Sequence, residues 1–376
     1  MTLSDLGGHT LSNKKFATLL VAGCMAVMTA CGGTSTGDNA GTKNEGADVV
    51  NTETANVETD KIEYVSDGTD ISYPITITHA YGETVITEKP ENIVTLGWGN
   101  QDVPLALGVI PSGVSMANFG PVNENGLLEW TADKFTELGV ENPNVFSDID
   151  GWDYEAISNA EPDVILAAYS GFSEEEYEML SQIAPVVAYP STAWSTDWRE
   201  MTILDATAMG MEAEGRQLVD DIDALIEEKL NEYPDVEGKT AAFAWMSADD
   251  LGVFYIYLPT DPRANFLLDL GLKFPESVAE MVEDENAFSI TVSSEYANQL
   301  SDIDILITYG DESLLEALQA DPLFSEIPAV VNGAIVLLDS SSALSASSTP
   351  SPLSIPATID EYLSVLQEAA EKVNEN

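Results

Sequence analysis

The feature that most constrains this fold is a long helical pattern, 195–233, flanked on both sides by the same alternation of short strands and helices. Asp197 and the glutamate three residues later are typical of a capping box, so a helix is predicted to begin there, and Gly210 predicts its end. A second apolar run at helical spacing covers 211–232. Because an α/β pattern lies on each side, we predict two lobes joined by one long rigid helix.

In the first half, alternation around Tyr81-Gly82 predicts a hairpin, and short buried strands then alternate with helices. The predicted strands are 75–79, 83–87, 93–97, 109–114, 162–168 and 184–189, and the predicted helices are 101–107, 153–160 and one that begins at Ser173. The residues between 115 and 152 are predicted to form a loop region.

The second half repeats this order, with predicted strands 240–245, 253–257, 303–308 and 334–338 and helices 264–270, 293–300, 314–320 and 355–373. The segments 155–166 and 295–306 align without gaps, and in each a glutamate opens a helix that leads into a strand. This repetition predicts pseudo-symmetric, Rossmann-like α/β lobes with mostly parallel sheets. The expected boundaries are 73–206 for the N-terminal lobe, 207–233 for the inter-lobe helix and 234–376 for the C-terminal lobe.

The amino terminus predicts export and lipidation. Two lysines precede an apolar run, 16–30, that is too short for a membrane span and ends at Met28-Thr29-Ala30-Cys31, which resembles a bacterial lipobox. We therefore predict a signal peptide at 1–30 and lipidation of Cys31, with Cys24 as the alternative. The polar, acid-rich stretch 31–72 is predicted to be a disordered tether. No cysteine follows Cys31, which excludes a disulfide or cysteine-ligated zinc in the folded part.

Composition excludes several function classes. The chain has 65 acidic and 13 basic residues, a net charge of −52, which would repel nucleic acid. His79 is the only histidine after the predicted signal peptide, so a histidine-rich zinc or manganese site is not expected. The chain has no nucleophile elbow and no phosphate-binding loop, and we do not predict an enzyme. Direct ferric binding by tyrosines and a carboxylate stays open, since there are 13 tyrosines.

Candidate binding residues follow from the rule that ligands of open α/β sheets lie beyond the carboxyl ends of the strands. Aromatic faces and a few hydrogen-bond donors suit a large organic ligand. The candidates near strand ends are Trp98, Tyr169, Ser170, Phe172, Trp194, Trp245, Tyr255, Tyr257 and Phe288. Arg199 and Arg263 are added because the chain has only three arginines, and a cation can meet an anionic group of the ligand. For Arg263 the alternative is a local salt bridge to Asp261 or Asp269.

Several segments, in this order along the chain, resemble the ABC-transporter substrate-binding proteins for iron–siderophore complexes, the two-lobe, helix-linked type that also serves cobalamin and haem. They include Pro90-Glu-Asn-Ile-Val-Thr-Leu-Gly-Trp, Glu161-Pro-Asp-Val-Ile-Leu, Asp261-Pro-Arg-Ala-Asn-Phe-Leu-Leu-Asp-Leu-Gly and Asn332-Gly-Ala-Ile-Val-Leu-Leu-Asp. The resemblance runs from about residue 73 to 366. It implies a ligand cleft between the lobes, with Trp98, Tyr169 and Arg263 at pocket-lining positions.

The resemblance further implies a monomeric, lipid-anchored receptor on the extracellular face of the bacterial cytoplasmic membrane. It would capture a ferric siderophore, whose chelator holds the iron, without a cofactor or a direct metal ligand, and deliver it to an ABC permease and its ATPase. Glu155 and Glu295 match the family positions that dock onto the permease. Some relatives carry an arginine after a segment like Glu137-Leu-Gly-Val-Glu; its absence here leaves hydroxamate, mixed or cationic chelates open. The alternatives are a cobalamin or haem receptor, an acid-using surface hydrolase, and a purely structural surface protein.

Overall fold

A computed structural model describes residues 72–147 and 151–374, all within one compact unit, 64–376. The predicted signal peptide, both lipidation candidates (Cys24 and Cys31) and the tether up to residue 71 lie outside the described residues. Within the described ranges, no helix is long and apolar enough to cross a membrane. The chain enters through the predicted hairpin, which is confirmed: β1 (Ile75–His79) pairs antiparallel with β2 (Gly82–Ile86).

The first sheet is parallel throughout and forms the centre of what we call the N-terminal lobe. Its strands are β3 (Ile93–Thr95), β4 (Gly113–Ser115), β5 (Val145–Phe146), β6 (Val164–Leu166) and β7 (Val186–Val187), in the order β5-β4-β3-β6-β7. The helices of this part are α1 (Asp102–Ala106), α2 (Glu129–Glu137), α3 (Tyr154–Asn159) and α4 (Glu174–Leu180). Two apolar cores cover its faces.

Two local predictions in this lobe are wrong. The predicted loop region contains α2 and β5, which sequence patterns missed because α2 has no capping side chain at Leu128 and β5 has only 2 residues. The strand predicted at 109–114 begins only at Gly113, because the Val109 amide donates to the Pro104 carbonyl (2.8 Å) and closes the end of α1.

The central helical pattern forms two helices, α5 (Trp198–Ala208) and α6 (Glu212–Leu230). As predicted, the Asp197 carboxylate caps α5, accepting from the Arg199 amide at 2.8 Å, and Gly210 follows its end with φ of 69°. Helix α5 packs against the N-terminal sheet, whereas α6 packs into an apolar core of the C-terminal lobe. The connection between lobes is therefore a pair of packed helices, of which the 19-residue α6 is the long one.

The second sheet is the centre of the C-terminal lobe and has the same strand order. Its strands are β8 (Ala241–Ser247), β9 (Asp250–Tyr257), β10 (Ser289–Ser293), β11 (Ile305–Tyr309) and β12 (Ile335–Leu338), in the order β10-β9-β8-β11-β12. Only β9 runs antiparallel to its neighbours. Since each lobe places its first and fourth strands side by side at the centre, the predicted α/β fold of two similar, mostly parallel lobes is confirmed. Strand β10 was not predicted.

The remaining helices of this lobe are α7 (Pro262–Asp269), α8 (Glu276–Ala279), α9 (Glu312–Ala320), α10 (Pro328–Asn332), α11 (Ala343–Ser347) and α12 (Ser354–Asn374), with 3₁₀ helices at Ser294–Gln299 and Phe324–Glu326. The chain crosses back to the N-terminal lobe between α11 and α12. Ala346 of α11 packs with Leu128 and Trp130, and in the segment after α11 the Ser351 hydroxyl donates to the buried Asp102 carboxylate at 2.5 Å. Because this segment contacts both lobes, the contacts do not assign it to one lobe, and the lobe boundaries stay predictions.

Candidate functional site

The carboxyl edges of the two sheets face a cavity of about 490 Å³, within the range of small-molecule sites. It adjoins the centre of each sheet, where the strand order reverses and where open α/β sheets bind ligands. Both lobes line it, through Gly97, Trp98, Met116, Asn118, Phe119, Tyr169, Trp194, Trp245, Tyr257, Asp261, Arg263, Phe288, Tyr309, Ser340, Ser345, Ala346 and Thr349. Seven of the predicted binding residues lie here together: Trp98, Tyr169, Trp194, Trp245, Tyr257, Arg263 and Phe288.

The N-terminal wall is held by one buried amide side chain. Trp98 follows β3 and Tyr169 follows β6, and Asn100 joins these two strand ends. Its Nδ2 donates to the carbonyls of Leu96 (2.8 Å) and Tyr169 (2.9 Å), while its Oδ1 accepts from the Tyr169 amide (3.1 Å). Because Asn100 is fully buried, these bonds replace water that the loops would otherwise need. The residue was missed from sequence, since an isolated asparagine gives no periodic signal.

Two glycines permit close approach in the same wall. A Cβ on Gly97, whose φ is 84°, would lie 2.6 Å from the Tyr169 carbonyl oxygen. A Cβ on Gly171 would lie 2.0 Å from Nε1 of Trp194, so only glycine lets that indole lie against the loop. The Trp194 ring meets Tyr169 edge-on, with centroids 5.3 Å apart. The N-terminal wall is thus a preformed aromatic surface.

The C-terminal wall comes from the hairpin of β8 and β9 and from the loop before β10. Trp245 on β8 and Tyr257 on β9 face the cavity, and Phe288 precedes β10. Trp194, Trp245 and Phe288 are 43%, 43% and 49% exposed. Large aromatic side chains exposed on both sides of a cavity provide contact area for a ligand at its mouth.

Arg263 and Asp261 form the only pair of ionised side chains among the lining residues. The Asp261 carboxylate caps α7 by accepting from the Arg263 amide (2.9 Å) and binds the guanidinium through Nε (2.8 Å) and Nη2 (2.6 Å). The guanidinium carbon lies 3.8 Å from the Tyr257 ring centroid. Burial lowers the pKa of Arg263, but its hydrogen bonds to Asp261 outweigh this and the net shift is upward. Arg263 therefore lines the cavity and forms the local salt bridge to Asp261, and its contact with a ligand stays a prediction.

The floor of the cavity was largely missed. Phe119 of the N-terminal lobe meets Tyr309 of the C-terminal lobe edge-on at 5.6 Å, and Tyr309 contacts Phe243 at 5.3 Å. The Tyr309 hydroxyl lies 3.0 Å from the Ser348 hydroxyl in the segment that crosses back between the lobes. Tyr309 ends β11 and was identifiable by the strand-end rule, whereas Phe119 lies in the region predicted as a loop.

Four predicted binding residues lie outside the cavity. Ser170 is fully buried and donates to the Ala167 carbonyl, and Phe172 is a core residue that meets Trp152 edge-on. Arg199 of α5 pairs with Asp223 of α6 at 2.6 Å and with Asp269 at the end of α7 at 2.8 Å. Tyr255 lies on β9 one row beyond the cavity. Strand-end position alone did not distinguish cavity-facing from core-facing side chains, because the bend after a strand decides the direction of each.

Burial affects the pKa of two tyrosines that line the cavity. Burial raises the pKa of Tyr169, and the Asp261 charge adds to this shift. Burial likewise raises the pKa of Tyr257, with Arg263 opposing it in part. Since ferric ion binds phenolate and not phenol, these shifts disfavour direct coordination by Tyr169 and Tyr257. In the described ranges, no cluster of three histidine, cysteine, aspartate or glutamate side chains is arranged to hold a metal ion.

The predicted docking glutamates occupy equivalent positions of the two lobes. Glu155 is exposed in the first turn of α3, and Glu295 is exposed in the first turn of the 3₁₀ helix Ser294–Gln299. Each follows the third strand of its sheet and precedes the fourth, so both lie at the sheet edge that faces the cavity. The topology thus presents two exposed carboxylates, one on each lobe.

Comparison with known proteins gives consistent results. The sequence profile of the family described as periplasmic binding protein matches residues 93–342. The solved structure of PiaA from Streptococcus pneumoniae TIGR4 in complex with ferrichrome is 48% identical, with a TM-score of 0.76 over 79% of this chain and 99% of that chain. A periplasmic solute binding protein from Mycobacterium smegmatis is 27% identical, with a TM-score of 0.63 and the same coverages. The probable siderophore-binding lipoprotein YfiY of Bacillus subtilis is 26% identical over 62% of this chain and 68% of its own length.

Proposed function

The chain belongs to the periplasmic binding protein family, and from this premise we propose that its inter-lobe cavity captures a ferric siderophore of the hydroxamate class for an ABC importer. The observation that carries the proposal is the charge balance of the cavity: eight aromatic side chains surround a single, mutually neutralised Asp261–Arg263 pair. Ferric trihydroxamates without ionised substituents are neutral, whereas ferric triscatecholates are trianions. An apolar cavity with no net charge favours the neutral chelate. The ferrichrome complex of PiaA supports the same class.

The chelator holds the iron in this proposal, and the protein recognises its organic shell. The lining carboxylate, Asp261, already accepts three hydrogen bonds from Arg263, and the pKa values of Tyr169 and Tyr257 are raised. Chelate carbonyl oxygens can accept hydrogen bonds from lining hydroxyls and the guanidinium, while ring faces cover the carbon framework.

The position of His79 makes a haem receptor less favoured. His79, the histidine that could ligate haem iron, is 4% exposed on the β1–β2 hairpin and does not line the cavity. Its Nε2 is 2.9 Å from the Thr84 hydroxyl, and its Nδ1 accepts from the Tyr81 amide at 3.2 Å. Cobalamin stays a rival within the same fold.

Delivery requires a permease and a position outside the cytoplasm. We assign lipidation to Cys31, with 31–72 as the tether, and docking onto basic residues of the permease to Glu155 and Glu295. The two carboxylates at matching positions of both lobes support a two-point contact that reports on lobe closure. Membership of a family of binding proteins supports a binding role for this chain.

The test is a titration of the protein, residues 45–376, followed by tryptophan fluorescence. Three of the six tryptophans line the cavity, so a bound ferric chelate should quench a large part of the signal. The ligands are a neutral ferric trihydroxamate, a ferric triscatecholate, ferric citrate, haem and cobalamin, with calorimetry to correct for light absorption by the chelates. Saturable binding of the trihydroxamate, lost in Trp98→Ala and kept in Trp152→Phe, supports the proposal. Binding of cobalamin or haem alone, or of no ligand at micromolar concentration, refutes it.

A further inference from the structure

The cavity continues outward onto an exposed face of the sheet formed by β8, β9 and β10. In β9, Phe254 and Ile256 are buried in the core, so Val253 and Tyr255 point to the opposite face, where they are 44% and 40% exposed. The register places Tyr255 between Trp245 on β8 and Thr291 on β10, and Val253 opposite Ser293. We call Trp245, Tyr255, Val253, Thr291 and Ser293 the ledge.

The ledge is joined to the cavity by shared residues. Trp245 lines the cavity and also packs against Tyr255, with ring centroids 5.8 Å apart. The next cross-strand row inward is Tyr257 opposite Ser289, and Tyr257 is itself a lining residue. Tyr257, Tyr255 and Val253 therefore form one line of side chains along β9, from inside the cavity to beyond its mouth.

The composition of the ledge differs from that of an ordinary surface of this protein. The whole chain has 65 acidic residues, yet none of the five ledge residues is charged. Along a strand with one solvated face, apolar core residues normally alternate with polar or charged residues that point to solvent. On the ledge, the positions that point to solvent instead carry two aromatic rings and a valine, bordered by hydroxyl groups. An exposed apolar patch beside a cavity is typical of an interaction site.

We propose that the ledge is a second subsite, which binds an apolar acyl substituent of the ferric hydroxamate held in the cavity. The inference rests on the proposed function, because the substituent reaches the ledge only from a chelate seated beside Trp245. Trp245 lines the cavity and packs on Tyr255, so a substituent that extends from the chelate past Trp245 would lie over Tyr255 and then Val253. Acyl methylene groups that leave water for aromatic and aliphatic surface bind by the hydrophobic effect.

The experiment compares two ferric trihydroxamates that differ only in an octanoyl chain, by calorimetry on the wild-type protein. We expect the acylated chelate to bind about tenfold more tightly, which corresponds to about two methylene groups fully removed from water. The double variant Val253→Ser/Tyr255→Ser should lose most of this gain while it binds the unsubstituted chelate within about twofold of wild type. Val331→Ser is the matched control. That valine is 62% exposed on α10, which leads into the amino end of β12, away from the ledge. This variant should keep the full gain.

The outcomes separate the two proposals. If the unsubstituted chelate binds and the acyl chain adds no affinity, the ledge inference is overturned and the proposed function stands. A gain that persists in the double variant, or that Val331→Ser also removes, overturns it too, because the chain then binds elsewhere. If neither chelate binds the wild-type protein, the proposed function fails first.

Discussion

Replacing Asp261 by asparagine should change the charge preference of the cavity. The asparagine keeps the α7 cap, because its side-chain oxygen accepts from the Arg263 amide as the aspartate does. It removes the negative charge, which is 2% exposed, and leaves the Arg263 guanidinium unpaired. The cavity then changes from neutral to singly positive. Loss of the charged hydrogen bonds should lower the free energy of unfolding by about 1.5–3 kcal/mol.

The effect on binding follows from Coulomb's law. Unit charges about 6–12 Å apart at an effective dielectric constant of about 20 interact by about 1.4–2.8 kcal/mol, which corresponds to about 10–100-fold in Kd. Asp261→Asn should therefore shift the affinity ratio of a monoanionic to a neutral ferric trihydroxamate by this factor toward the anion. Calorimetric titrations with both chelates measure the ratio.

The control is Asp220→Asn, which makes the same change in net charge at an exposed position of α6. It should leave the affinity ratio unchanged, since solvent and salt screen a surface charge. If Asp261→Asn binds both chelates with the wild-type ratio, the cavity does not select by charge and our reason for preferring a neutral chelate is refuted. Thermal unfolding with and without the chelate shows whether the variant is folded.

Three further predictions concern residues around the cavity. Asn100→Ala should lower the free energy of unfolding by about 1–3 kcal/mol and weaken chelate binding, because two buried carbonyls lose their donor. Urea unfolding measures the change in stability, and the control Asn125→Ala, at an exposed position, should have no effect. Burial lowers the pKa of His79, so below pH 6.5 the unfolded state binds more protons than the folded state. Between pH 7 and pH 5.5 the free energy of unfolding of the wild type should therefore fall by about 1 kcal/mol relative to that of His79→Phe, and parallel pH dependence in both proteins would contradict this. Glu155→Lys should lower uptake in cells on the order of tenfold at an unchanged chelate Kd, whereas Glu361→Lys on α12 should not; equal uptake by both variants would remove Glu155 from the docking surface.

The elements with strong local signals were predictable from sequence. Asp197 is a cap, and the apolar spacing of 211–232 gave α6. The alternation around Tyr81-Gly82 gave the β1–β2 hairpin. These features depend on contacts within a few residues, so the sequence carries them directly. The repeated order of strands and helices then restricts the connections to two similar lobes.

The candidate site was only partly predictable, because its residues are selected by contacts between distant segments. Trp98 and Tyr169 follow strands and were found by that rule, but Phe172 follows the same strand as Tyr169 and points into the core. Phe119 reaches the cavity only because the lobes meet, where its ring contacts Tyr309.

The sequence by itself determined the secondary-structure alternation, the fold class and the aromatic character of the site, since periodicity and capping are local properties of the chain. The tertiary structure decided which aromatic rings face the cavity, that the charge of Arg263 is neutralised by Asp261, and that the return segment at Ser351 ties the lobes together. The physical reason is that side-chain direction and charge pairing depend on contacts between residues far apart in the chain. The local sequence pattern does not contain these contacts.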